Sequence, residues 1–366
     1  VPDIVPNRFP RPEFEGDYRV PQVQVPIPRS DLWLAADVLV LAAALGLSIL
    51  AIFRWKSRRA QVLVGAGSLA YFGFLRRGCI CPVGSVQNVT QAIADPSFVM
   101  PLLALFFFLL PVAAALWKGR SFCGSVCPFG ALQELVHVHT IRVPRVVDAA
   151  LRPLPAVYLA LSVLAAATGI GYLICRIDPF VGVFRLSAPL VPALIGVLVF
   201  GVGLVVYRPY CRYVCPYGWL LGCASLLAAR PPRIGETKCT QCGACARVCL
   251  ADAIQAPRKM LPGKRRPPWR TAASAAGFLA AGAASGLALG PFLARFSGAQ
   301  GRVPGPAAAA CGLFVGLVLF GYHQASVMRS VRAESKRYEI MPDRCVHCGR
   351  CMTACPFTGP ARKGET

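Results

Sequence analysis

Cys239, Cys242, Cys245 and Cys249 are spaced C-x2-C-x2-C-x3-C, and the same spacing returns at Cys345, Cys348, Cys351 and Cys355, there followed by Pro356. Thiolates at these intervals hold a 4Fe–4S cluster: a loop wraps the cubane with its first three cysteines, and the fourth turns to a neighbouring cluster. The first run carries Leu250 where its proline would stand. A zinc site would favour paired C-x2-C units and does not need the x3 step. With the fourth cysteines crossing over, one cluster is expected on Cys239, Cys242, Cys245 and Cys355. A second is expected on Cys345, Cys348, Cys351 and Cys249.

Two shorter pairs, Cys123-x3-Cys127-Pro and Cys211-x3-Cys215-Pro, have too few ligands to hold a cubane separately. Together Cys123, Cys127, Cys211 and Cys215 supply four thiolates, enough for a third 4Fe–4S cluster. Cys79, Cys81 and Cys175 form a further candidate metal site, with Asp178, Asp95 or a partner ligand completing it; a disulfide to Cys175 is the rival reading. Cys223 and Cys311 stand alone in apolar surroundings and read as packing residues. His137 and His139 are two apart and do not share a helix face, and His323 has no evident haem partner. His347 lies inside a cysteine loop, where a supporting role suits it better than ligation. No nucleotide loop, Ser–His–Asp set or paired-carboxylate site stands out, so no catalytic residue is expected.

The elements that must position these cysteines are apolar. The 366 residues are 55% hydrophobic and only 15% charged, against about 25% charged in soluble domains. Seven spans approach the roughly 20 residues that cross a bilayer: 32–53, the short 60–75, 96–117, 153–175, 186–207, 271–293 and 303–328. With the N-terminus outside, the outer segments hold ten of the 39 Lys and Arg and the inner ones hold the rest. Arg54-Trp-Lys-Ser-Arg-Arg59 is the sharpest inner marker. The expected fold is therefore mainly α, a polytopic membrane helical bundle of about seven spans, N-terminus out and C-terminus in. A split two-cluster ferredoxin-like domain lies on its inner face. Its parts are a Pro-rich outer arm (1–31), a membrane domain (32–230), the first ferredoxin half with a basic linker (231–270), a membrane helical hairpin (271–328) and the second ferredoxin half (329–366). The net charge of +23 follows this sidedness and does not call for a nucleic-acid partner.

An internal repeat runs through the membrane domain: Cys81-Pro-Val-Gly84, Cys127-Pro-Phe-Gly130 and Cys215-Pro-Tyr-Gly218. Each leads into a semi-apolar stretch, such as 131–138 and 219–229, of half-helix length. Pro and Gly bend the chain there and let backbone amides approach cluster sulfides.

At these residues the chain resembles the NosR/NapH-type membrane polyferredoxins. The shared features are Gly78-Cys-Ile-Cys-Pro-Val-Gly-Ser-Val-Gln-Asn88, the two C-x3-C-P motifs, Cys175-Arg-Ile-Asp-Pro-Phe180 and the ferredoxin runs. The likeness covers roughly 32–255 and the terminal run. It implies an electron carrier of the bacterial inner membrane, passing electrons through several 4Fe–4S clusters between a quinone or soluble carrier pool and a partner oxidoreductase. Partners implied are membrane lipid, redox subunits of a larger complex, and a quinone or a ferredoxin-like or cytochrome carrier. NosR-type proteins carry an outer flavin-binding domain to which no stretch here corresponds. Two alternatives stand beside the carrier. One is a quinol dehydrogenase subunit with its own quinone site, for which Glu134, His137, His139 and His323 are the inner-face proton acceptors. The other is a cluster-bearing maturation or redox-sensing membrane protein.

Overall fold

The computed structural model describes residues 30–77, 81–95, 98–167, 171–185, 190–232, 234, 239–257 and 338–355, with single positions at 276, 277, 280 and 284. The arm up to residue 29, most of the span 271–293, the whole of 303–328, Cys79, Cys311 and His323 lie outside the described residues. The described chain is mainly helical. Helix α1 (Asp31–Phe53) and α2 (Arg58–Ser68), the latter running on as a π-helical stretch over Leu69–Leu75, form an antiparallel hairpin. α3 (Pro82–Ala94) packs on α4 (Leu102–Lys118) and α7 (Leu154–Ala167). A π-helical stretch at Phe122–Val126 precedes α5 (Pro128–Val136). α6 (Arg145–Leu151) leads into α7, and short α8 (Leu173–Ile177) and α9 (Pro179–Arg185) precede α10 (Leu190–Gly203). α11 (Pro209–Tyr213) and α12 (Pro216–Leu226) complete the bundle.

Two helical runs, Asp31–Phe53 and Val146–Ala167, are long and apolar enough to cross a membrane, and Leu102–Lys118 and Leu190–Gly203 are shorter apolar helices. α10 shows how such a helix is used. It buries Pro192, Gly196, Val199 and Gly203 against its neighbours and leaves Leu190, Leu194, Val197 and Leu198 exposed. Small residues inward and large apolar residues outward is the arrangement that suits lipid contact.

The bundle has two distinct ends. At one, the buried Asp37 of α1 takes an ion pair from Arg76 and a hydrogen bond from Tyr71 Oη at 2.9 Å. At the other, Phe53 meets His347 edge-on with centroids 6.1 Å apart, and Lys118 Nζ lies 4.6 Å over the Phe53 ring. Sixteen residues of α1 separate Asp37 from Phe53, a rise of about 24 Å. The ferredoxin runs lie at the Phe53 end.

That ferredoxin unit is assembled from two distant pieces. α13 (Ala244–Val248) packs on α14 (Arg350–Ala354). Strand β1 (Ile254–Gln255) pairs antiparallel with β2 (Glu339–Ile340), Ile254 opposite Ile340, and Met341 N–H donates to the Ala253 carbonyl at 2.8 Å.

Candidate metal centres

The two ferredoxin loops repeat one backbone course. Gln241 and His347 hold φ of 57° and 54°, and Gly243 and Gly349 hold 72° and 74°. Left-handed residues on either side of the second cysteine turn the chain back on itself, which allows three closely spaced thiols to face one space. All eight cysteines, Cys239, Cys242, Cys245, Cys249, Cys345, Cys348, Cys351 and Cys355, line one cavity of ≈ 280 Å³. Within it, Cys245 lies in electrostatic reach of Cys239 and Cys355. Cys345 lies in reach of Cys348, Cys351 and Cys249. Cys249 thus neighbours the opposite loop's first three cysteines, and Cys355 neighbours Cys245 of the opposite loop. Burial and the crowding of like-charged thiolates push Cys351 up to about 12 and raise Cys345 and Cys249. Thiols in such a group ionise together only when cationic metal compensates them. The amide of Ala253 already points at Cys249 Sγ, 3.3 Å away.

The second loop is seated on the helical bundle. Gln61 Nε2 donates to the His347 carbonyl at 2.8 Å, Arg58 Nη1 to that of Cys348 at 2.6 Å, and Arg120 Nη1 to that of Asp343 at 2.8 Å. A Cβ on Gly124 would stand 2.9 Å from the Val346 carbonyl oxygen, so only glycine allows this approach. His347 is buried, neither ring nitrogen has a hydrogen-bond partner among the described residues, and burial followed by the nearby Arg120 charge lowers its pKa to about 4. It is a neutral filler of the docking surface.

Directly beneath lie Cys123, Cys127, Cys211 and Cys215. Cys123 sits in the π-helical stretch, Cys211 in α11, and Cys127 and Cys215 cap α5 and α12, each with proline at the first helical position. The capping geometry leaves both cysteines extended, at ψ 116° and 111°. Each thiol has a charged neighbour among the others. Polar groups are aimed at the sulfurs: Arg120 Nη2 stands 3.8 Å from Cys123 Sγ, Gln133 Nε2 3.6 Å from Cys211 Sγ, and Gly218 N 3.2 Å from Cys215 Sγ. Arg208, buried and left-handed at φ 48°, donates to the carbonyls of Cys123 and Gly124 and to Glu134. Glu134 also pairs with Arg58 and approaches Arg350 at 3.8 Å. Burial would raise its pKa, but Arg208 and Arg58 bring it down to about 2. A carboxylate so held is a poor proton acceptor, which removes it from the quinone-site candidates. His137 is engaged with the Gly203 carbonyl and Thr140.

Cys81 and Cys175 lie together elsewhere in the bundle. A Cβ on Gly84 would be 3.9 Å from Cys175 Sγ and 4.0 Å from Cys81 Cβ. Cys223 is half-buried and lines a small cavity with Cys211.

Among the described residues, no three His, Cys, Asp or Glu side chains converge on a point that would hold a single metal ion. A cubane asks for something else: each thiolate binds a different iron, so the sulfurs stand further apart. The eight-cysteine cavity, the four-thiol group of three buried cysteines and the half-buried Cys127, with donors aimed at its sulfurs, and the flanking arginines fit clusters and not mononuclear zinc.

Comparison with known proteins agrees with the cysteine geometry. A family described as "4Fe-4S binding domain" matches residues 100–144 and 188–234, the segments that carry both C-x3-C-P motifs. A "4Fe-4S dicluster domain" family matches 308–358, which holds the second ferredoxin run. NirI of Paracoccus denitrificans (strain Pd 1222) is 28% identical over 50% of this chain and 31% of its own length. The regulatory protein NosR of Pseudomonas aeruginosa is 31% identical over 42% of this chain and 23% of its own. This chain is similar to the NosR/NapH-type 4Fe–4S electron transport proteins. YccM of Escherichia coli (strain K12), whose name marks it as a candidate electron transport protein, is 27% identical over 46% of this chain and 52% of its own. The chain thus spans between about a quarter and half of the length of these NosR/NapH-type relatives. No solved structure matches it.

Sequence reasoning missed the seating of the second loop. Arg58 read only as part of a basic marker of sidedness, and Gln61 and Gly124 gave no signal.

Proposed function

We propose that the chain is a multi-pass protein of the bacterial inner membrane that carries electrons between a quinone or soluble carrier pool and a partner oxidoreductase. The ligand sets are Cys239, Cys242, Cys245 and Cys355; Cys345, Cys348, Cys351 and Cys249; and Cys123, Cys127, Cys211 and Cys215. Cys79, Cys81 and Cys175 belong to a further metal site. The bound clusters supply one-electron chemistry at potentials set by hydrogen bonds, charge and solvent exposure.

The observation that carries this reading is the seating of the Val346–Gly349 loop on Gly124, one residue beyond Cys123. It brings the ferredoxin cysteines and the four-cysteine set into one continuous body. Arg58 and Arg208 fix that contact through backbone carbonyls of Cys348, Cys123 and Gly124. Gln133, Arg120 and Gly218 donate toward sulfur, which favours the more negative, reduced state. The arginines around Glu134 add positive charge on the same side. The exposed apolar faces keep the body in lipid, with the N-terminus outside, the C-terminus inside and about seven spans.

The test is reduction of the purified protein in liposomes by a quinol and, separately, by a reduced ferredoxin, followed by EPR. Appearance of interacting 4Fe–4S signals with either donor supports the reading. Absence of cluster reduction by both contradicts it.

A further inference from the structure

Three helices of the bundle that start directly after a candidate ligand begin in one way. Cys81 precedes Pro82 of α3, Cys127 precedes Pro128 of α5 and Cys215 precedes Pro216 of α12. These three caps are extended, with ψ of 112°, 116° and 111°. A fourth position repeats the pattern without a thiol: Asp178 precedes Pro179 of α9, with φ −70° and ψ 125°. It stands three residues after Cys175, much as Cys215 stands four after Cys211. Asp178 Oδ1 accepts from the Phe180 amide at 2.8 Å, and Cys215 Sγ likewise accepts from the Gly218 amide. The chain therefore holds a second set built on the plan of the first, with a carboxylate in one thiolate's place.

Three further observations point to an occupant there. Asp178 is 1% exposed, an expensive place for a carboxylate unless it serves a partner. Its charge is felt by Cys81, which also lies near Cys175. The buried hydroxyl of Tyr158 lies in electrostatic reach of Asp178, Cys81, Cys175 and Cys215 and has no hydrogen-bond partner among the described residues. An orphaned buried hydroxyl calls for a partner that is not a protein atom.

We propose that Asp178, with Cys81 and Cys175, is a ligand of an iron–sulfur centre, and that Tyr210 joins this centre to the four-cysteine set. Asp178 has ligating capacity left after its two hydrogen bonds, since a carboxylate offers about four lone-pair sites. Tyr210 Oη donates to Asp178 Oδ2, and its backbone is covalently joined to Cys211. Gln133 locks it from the other side, accepting from the Tyr210 amide at 3.1 Å while its own amide faces Cys211 Sγ. The route from one set to the other is thus one aromatic residue and one hydrogen bond, buried throughout. This rests on the cluster reading above and extends it: the electron path does not end at Cys211 and Cys215.

The test uses the full-length protein, purified anaerobically, with iron and acid-labile sulfide counted per chain and EPR of the reduced state. C81S/C175S and D178A are expected to lose the same increment of iron, while the ferredoxin signals persist as the check on folding. D178C is expected to retain that iron and to alter the EPR signal of this centre alone. Y210F is expected to keep the iron and weaken the magnetic interaction between this centre and the four-cysteine one. An iron content unchanged in C81S/C175S overturns the proposal, as does a Cys81–Cys175 disulfide found by peptide mapping of the native protein. C123S/C211S separates the two readings. Loss of iron there with none in C81S/C175S sinks this inference alone, and loss in neither sinks the parent reading of the four-cysteine set as well.

Discussion

Arg58 Nη1 donates to the carbonyl oxygen of Cys348 at 2.6 Å, joining α2 to a cysteine loop 290 residues later in the chain. The same guanidinium pairs with Glu134, which also holds Arg208 beneath the loop. One carboxylate therefore ties the ferredoxin unit, α2 and the four-cysteine set together.

R58A should loosen this seating. A hydrogen bond from a charged group is worth about 1.5–3 kcal/mol, which corresponds to a roughly ten- to hundredfold rise in local opening. Hydrogen exchange at residues 346–350 should rise accordingly, while the Asp37–Arg76 end of the bundle stays unchanged. Equal acceleration at both ends would show that the contact is not local.

The Glu134 ion pairs should make the seating insensitive to pH across the neutral range. Its pKa is lowered in the folded protein from an ordinary 4.5 to about 2. Its stabilisation is therefore complete above about 4.5 and is lost as pH falls toward 2. Protection factors at 346–350, with the intrinsic pH dependence of exchange divided out, should be flat from pH 8 to 5 in the wild type. E134Q should be loose across that whole range, and a wild-type profile that changes near pH 6–7 would point to another group.

Gly124→Ala should unseat the loop without unfolding the bundle. Its Cβ would meet two carbonyl oxygens, of Val346 and His347, at 2.9 and 3.0 Å. Overpacking of this kind costs about 1–3 kcal/mol. Gly46→Ala, with nothing within 4 Å of its Cβ, is the matched control and should be silent in a thermal melt.

Gln133→Leu removes the side-chain donor facing Cys211 Sγ. A donor to sulfur favours the reduced cluster, so its loss should lower the midpoint potential of that centre. At about 1 kcal/mol per hydrogen bond, the shift is on the order of 40 mV for a one-electron couple. An EPR redox titration reads it, and the ferredoxin potentials should not move.

Much of the candidate site's backbone geometry was legible because a cysteine loop of this kind is local. The C-x2-C-x2-C-x3-C spacing needs only a loop with left-handed turns, and Gly243 and Gly349 supply them. The Cys-Pro-x-Gly repeat showed its half-helices for the same reason, since proline starts a helix and fixes the cap before it. The described apolar runs announced helices; 60–75, short for a span, is helical from Arg58 to Leu75, its last seven residues as the π-helical stretch. What could not be read were contacts made by backbone carbonyls across hundreds of residues. Arg58 looked like a sidedness marker and Glu134 like a proton acceptor, because ion-pair partners such as Arg208 are fixed only by the fold. Asp178 stood beside Asp95 as a candidate fourth ligand until its cap geometry matched that of the cysteines.

The central claim is that Cys123, Cys127, Cys211 and Cys215 hold one cluster beneath the ferredoxin pair. Its most direct test is iron and acid-labile sulfide in C211S/C215S beside the wild type, both purified anaerobically as full-length protein. The account predicts a loss of about four irons per chain, with the two ferredoxin signals retained but their coupling to a third spin gone. An iron content equal to that of the wild type would contradict it and leave the four cysteines as packing residues.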